Sequence, residues 1–125
     1  METKTCTYRV NQGGEISSFT TSCTIQRRGG FSKVAITSGE SSYTFLVGKN
    51  AVTLTAEGQT KYSFCLSEGC NNPFEVYSQG VTFNALVSCK NLSIILESGN
   101  ILVKAKYFMN ISGVETQMEF TLSVE

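Results

Sequence analysis

Cysteine offers this chain of 125 residues its widest choice of chemistry, and there are five cysteines: Cys6, Cys23, Cys65, Cys70 and Cys89. Two of them flank the short segment Leu66-Ser67-Glu68-Gly69, a spacing that fits a structural disulfide, a metal site or a redox centre. Glu68 is an unfavourable neighbour for a reactive thiolate, because redox cysteines usually lie beside cationic groups. Alternation places Cys65 on the face opposite Tyr62 and Phe64, pointing towards the loop that contains Cys70, and this favours a disulfide between Cys65 and Cys70.

A metal site is disfavoured by the small number of suitable ligands. The chain has no His, and structural zinc sites use two close Cys or His pairs, of which only one is present here. We therefore predict no metal and no cofactor.

Alternation along the first two predicted strands places Cys6 and Cys23 on inward faces. A second disulfide, between these two residues, is expected if the strands are neighbours. Cys89 is then left over, either as a buried free thiol or as the site of an intermolecular bridge.

Enzyme chemistry is restricted by what the chain lacks. Without His or Asp it cannot form Ser-His-Asp or Cys-His centres. Glu pairs for glycoside cleavage are conceivable, but each Glu lies beside a predicted turn or on the polar face of a strand. We therefore predict a non-enzymatic protein with no catalytic residues.

Apolar and polar residues alternate with period two over most of the chain, and Gly, Asn and Ser clusters interrupt the pattern about every ten residues. This pattern predicts a single all-β domain over residues 1–125. It is rich in meanders, with about nine to eleven short antiparallel strands in a β-sandwich or a small β-barrel. Only residues 81–96 also show apolar side chains at helical spacing. The Val, Ile and Phe content of this segment favours two strands there.

Charge and hydropathy limit the partners. Ten Lys and Arg residues balance ten acidic residues, so no field attracts nucleic acid, and no apolar run is long enough to span a membrane. The candidate partner contacts are Arg27, Arg28, Glu68, Asn71, Asn72, Phe74 and Tyr77. Some of these residues also have a purely structural interpretation. Arg28 can simply precede a Gly-Gly turn, and Phe74 and Tyr77 can be core residues.

These observations predict a binding or inhibitor module that contacts a protein or a surface glycan through loops or a sheet face. Two alternatives stay open: a structural subunit of a virion or surface assembly, including a homo-oligomer, and a barrel that binds a small ligand. The predicted disulfides and the low charge content favour a secreted, periplasmic or cell-surface location, with the cytoplasm as the alternative.

Overall fold

The structure, a computed structural model, describes residues 2–125 and is built from β-strands. In chain order the strands are β1 (Glu2–Gln12), β2 (Glu15–Arg28), β3 (Phe31–Ser38), β4 (Ser41–Val47), β5 (Ala51–Glu57), β6 (Thr60–Ser67), β7 (Asn71–Ser78), β8 (Val81–Glu97), β9 (Asn100–Ile111) and β10 (Val114–Val124). These residues include no helix long and apolar enough to cross a membrane.

The ten strands form a closed antiparallel barrel. Each strand pairs with the next one in the chain, and β1 pairs with β10 to complete the ring. Closure pairs the two edge strands that an open sheet would leave free. The all-β prediction and its strand number are therefore confirmed, and of the two predicted architectures the barrel is the one that forms.

Strand β9 shows why the period-two pattern produces this fold. Val103, Ala105 and Tyr107 are buried, whereas Lys104 and Lys106 between them are exposed. Successive side chains of a strand point to opposite faces of the sheet, so each strand places one apolar row inside the barrel and one polar row outside.

The predicted boundaries are wrong in two places. Residues 81–97 form one strand, β8, where two were expected; it continues through an irregularity in pairing between Cys89 and Asn91. Asn71, Asn72, Phe74 and Tyr77 were expected to form a contact loop, but they lie on strand β7, which also contains Pro73. Proline is tolerated there because β7 pairs with β6 only over residues 76–78, which leaves the rest of that side without ladder hydrogen bonds.

The interior differs between the two ends of the barrel. The end that carries the chain termini is filled by aliphatic side chains, each at most 2% exposed: Ile25, Val47, Val52, Leu66, Ile101 and Val124. Aromatic rings follow towards the middle, where Phe45, Tyr8 and Phe120 pack edge to face or tilted against one another. We call the filled end the closed end. The opposite end, which carries the β1–β2, β3–β4, β5–β6, β7–β8 and β9–β10 turns, is the open end.

Candidate functional site

All five cysteines are free thiols in the structure, so neither predicted disulfide forms. Cys6 and Cys23 are buried inside the barrel, as expected, but Cys6 pairs with Thr21 and Lys4 pairs with Cys23. The two cysteines are therefore diagonal rather than opposite neighbours. Diagonal Cα atoms are about 7–8 Å apart, which is more than a disulfide usually spans. Burial, together with the neighbouring Cys23, raises the pKa of Cys6 to about 12.

The segment between Cys65 and Cys70 forms a tight turn. The Cys70 backbone N–H donates to the Ser67 carbonyl at 2.9 Å, and Gly69 adopts a φ of 79°, as expected at the third position of a type II turn. Cys65 stays on β6, half-buried and paired with Thr53, while the turn carries Cys70 towards β8. The predicted disulfide in this loop does not form: Cys65 belongs to the β5–β6 ladder, whereas the Cys70 carbonyl accepts a hydrogen bond from the Cys89 N–H on β8.

Two of the predicted partner contacts make contacts within the fold. Arg27 forms a salt bridge with Glu2 and donates to the Gly99 carbonyl at 2.8 Å, which joins β2 to the β8–β9 turn. Glu68 accepts a hydrogen bond of 3.1 Å from the Leu92 backbone N–H. Arg28 is exposed.

The other predicted contacts lie on β7 and face different ways. Phe74 is buried inside the barrel, whereas Tyr77 is 45% exposed on the outer face and Asn71 is also exposed. Asn72 is half-buried, and its side-chain amide donates to the Cys65 carbonyl at 2.9 Å where the β6–β7 ladder has ended. The seven predicted residues therefore do not form one surface.

A cavity of about 320 Å³ occupies the open end of the barrel. Side chains from eight strands line it, all except β3 and β8, and most are aromatic or aliphatic. Interior width grows with strand number, and eight strands give an interior that side chains just fill. Ten strands leave more room, and near the mouth short polar side chains such as Ser17 and Thr60 do not fill it.

Tyrosine is the characteristic residue of the cavity. Tyr8, Tyr43, Tyr62 and Tyr107, on four different strands, line it, and the fifth tyrosine of the chain, Tyr77, does not. Sequence analysis missed this cluster because its members are far apart in the chain. Each of the four tyrosines lies on an inward-facing row, which the alternation pattern can indicate. Only the order of the strands around the barrel shows that the four rows meet at one cavity.

The hydroxyls of these four tyrosines have no hydrogen-bond partner within residues 2–125. Tyr8 and Tyr107 are only 7% and 2% exposed, yet no fully enclosed side-chain oxygen lacks a partner. Their hydroxyls must therefore border the open space of the cavity. Burial raises the pKa of Tyr8, Tyr62 and Tyr107, so the three phenols remain neutral over the physiological range and can donate a hydrogen bond.

The wall combines flat rings with flexible side chains. Tyr62 and Phe64 are stacked with an angle of 13° between their ring planes, and Phe64 is tilted against Phe74. Met109 and Met118 lie among the lining residues and supply adaptable, polarisable surface. No Glu, Lys, Arg or Cys lines the cavity. The arrangement can hold a flat apolar molecule and offer it hydroxyl groups.

Within residues 2–125 no cluster of three or more Cys or Glu side chains is arranged to hold a metal ion. Cys89 is 3% exposed, and its thiol contacts the Asn91 carbonyl at 3.7 Å. Burial raises its pKa, and the neighbouring Glu68, Cys70 and Cys65 contribute to the same direction. Such a thiol is a poor nucleophile, because the reactive form is the thiolate.

The chain matches no protein-family model and no curated protein sequence. Its fold is similar to that of the ywiB protein from Bacillus subtilis, known from a crystal structure. The two superpose with a TM-score of 0.80 over 98% of this chain and 92% of that one, at 14% sequence identity. At this identity the similarity shows the fold alone, since one fold serves many functions.

Proposed function

We propose that the protein binds a small, largely apolar molecule with an aromatic ring inside the open end of the barrel. The cavity of about 320 Å³ carries this proposal. Ligand cavities usually measure about 300–1,000 Å³ and often lie in the mouths of β-barrels. A volume of roughly 150 Å³ holds one benzene ring, so this cavity suits a molecule of about two rings.

The lining supports binding rather than catalysis. It contains no carboxylate, amine, imidazole or thiol, so its hydroxyl groups have no base beside them to activate them as nucleophiles. Neutral hydroxyls on an apolar wall resemble the few well-placed polar groups that orient a bound molecule in other ligand sites.

A binding or inhibitor module for a macromolecule is the second proposal. Val81 and Val114 are 50% and 69% exposed, and with Phe83 they give the open end an apolar rim, as surfaces that contact partners often have. An assembly subunit that adds strands edge to edge ranks lower, because β1 and β10 are paired with each other.

Location stays a prediction. The argument for export began from two disulfides, and all five cysteines are free thiols here. Free thiols are the usual state in the cytosol, which makes a cytoplasmic location an equal proposal.

Binding is tested with 6-propionyl-2-dimethylaminonaphthalene, a neutral two-ring fluorophore whose emission shifts to the blue in apolar surroundings. We expect saturable, blue-shifted emission with the wild-type protein. Val10→Trp places a large ring in the lining of the cavity and should abolish this signal. Leu46→Trp adds the same ring at an exposed position on β4 and should leave the signal unchanged.

Equal loss of signal in both variants, or equal retention in both, would place the probe outside the cavity and contradict the proposal. The absence of any blue shift with the wild-type protein would do the same, and support would then pass to the macromolecular partner. Circular dichroism of each variant checks that the barrel is folded.

A further inference from the structure

A second, more open hollow of about 480 Å³ adjoins the mouth of the cavity. The two spaces share Tyr43, Thr60 and Tyr62, so a molecule seated in one can extend into the other. The second hollow differs in charge, because Glu40 and Glu57 are among its lining residues. We call this hollow the acidic groove.

Packing of two turns brings these carboxylates to the same groove. Glu57, at the end of β5, pairs with Ser42 on β4, and Glu40 lies in the turn just before that strand. The two turns touch so closely that a Cβ atom added at Gly58 would lie 2.9 Å from the Ser41 hydroxyl. The groove is therefore a product of the fold rather than of neighbouring sequence positions.

Neither carboxylate is neutralised by a cation of the chain. The one salt bridge within residues 2–125 joins Arg27 to Glu2, near the closed end. Lys61, the cation nearest to the groove in sequence, does not line it. Two unpaired carboxylates at the mouth attract a positive charge and repel a negative one.

The cavity itself is unsuitable for a charge. No charged side chain lines the cavity. The burial that raises the pKa of Tyr8 and Tyr107 also disfavours any other charged group placed beside them. A charged group on the ligand is therefore best placed at the mouth, where water and the acidic groove are available.

We propose that the ligand is an arylalkylamine, a molecule whose amine is joined to the aromatic ring through an alkyl chain; this inference rests on the proposed function. Its ring system occupies the cavity, and its protonated amine lies in the acidic groove near Glu40 and Glu57. Tyr43 and Tyr62, which line both spaces, can also attract the amine through the faces of their rings.

The test uses three compounds that share a naphthalene ring and differ in charge: 2-(1-naphthyl)ethylamine, 1-naphthaleneethanol and 1-naphthaleneacetate. Their dissociation constants are measured by equilibrium dialysis at pH 7 and low ionic strength. We expect the amine to bind about fivefold more tightly than the neutral alcohol, and the acetate to bind most weakly, because exposed ion pairs contribute up to about 1 kcal/mol each. The preference for the amine should shrink in 0.5 M salt as the charges are screened.

The variant E40Q/E57Q removes both charges at exposed positions and nearly preserves shape. It should bind the amine and the alcohol about equally, with the alcohol affinity unchanged. The matched control E97Q alters an exposed carboxylate beside the β8–β9 turn, at the closed end, and should keep the preference.

The outcomes separate the two proposals. If the alcohol binds in the wild-type protein as tightly as the amine, or if the preference survives in E40Q/E57Q, the inference about the amine is overturned while binding in the cavity stands. If none of the three compounds binds, the cavity proposal and this inference are both rejected. Thermal melts of E40Q/E57Q and E97Q verify that the comparison is made on folded protein.

Discussion

Cys70 lies directly opposite Cys89 where the β7–β8 hydrogen bonding begins, and the Cys89 backbone N–H donates to the Cys70 carbonyl at 3.1 Å. Gly69 donates to the Cys89 carbonyl at 3.0 Å, so Gly69 and Cys70 together oppose one residue, which is the definition of a β-bulge. The side chain of Cys70 is exposed and that of Cys89 is buried. Two cysteines that meet across the sheet therefore differ strongly in access to solvent.

Thiol labelling should reflect this difference. In the native protein, without reductant, we expect iodoacetamide to modify Cys70 first, half-buried Cys65 more slowly, and the three buried cysteines only after unfolding. Intact mass should show five modified thiols in denaturant, and the C70S variant should lose the fast phase. Fewer than five reactive thiols in denaturant would indicate a disulfide and contradict the structure.

Gly69→Ala should destabilise the barrel by about 1 kcal/mol. Gly69 has a φ of 79°, and an added Cβ would touch nothing within 4 Å, so the cost is confined to the backbone. Urea unfolding measures it. Gly30→Ala is the matched control, because Gly30 also has open space around it but no positive φ. Equal midpoints for the two variants would show that the turn does not depend on the conformation of Gly69.

Arg27→Ala should lower the free energy of unfolding by about 1 kcal/mol. The loss comes mainly from the hydrogen bond to the Gly99 carbonyl, because the pair with Glu2 is solvent-exposed and contributes little. Arg28→Ala, one position along and exposed, should change stability by less than about 0.5 kcal/mol. Equal effects in urea unfolding would assign Arg27 no role in joining β2 to the β8–β9 turn.

Stability should fall as pH rises above about 9. Burial raises the pKa of Cys6 from 9.0 to about 12, so the unfolded chain releases this proton at a lower pH than the folded one. Below pH 9 both states keep the proton and the full stability is present; between pH 9 and 12 the unfolded state is increasingly favoured. Buried tyrosines such as Tyr107, whose pKa is raised above 10.0, extend the decline.

Urea midpoints measured between pH 7 and 11 test this linkage. C6A should show a shallower decline than the wild type above pH 9, whatever its stability at pH 7. C70S alters an exposed thiol and should keep the wild-type slope. Parallel curves for C6A and the wild type would exclude Cys6 as a source of the alkaline loss.

Much of the fold was predictable because it is encoded by local alternation. The inward rows of β9 and β10 and the burial of Cys6 and Cys23 are as expected. Strand β7 was missed because its mixture of Asn and aromatic residues was interpreted as a contact loop; the gap in the β6–β7 ladder explains how the strand accommodates Pro73. The predicted disulfide between Cys6 and Cys23 failed because facing the same way does not fix register.

From the sequence alone, the face on which most side chains lie and most of the turns that end the strands were determined, since both depend on neighbouring residues. The tertiary structure alone decided that the sheet closes with ten strands and that β1, β4, β6 and β9 place four tyrosines around one cavity. It also decided that Cys70 meets Cys89. The physical reason is that alternation specifies which way a side chain points, whereas closure and register specify which distant side chains it meets.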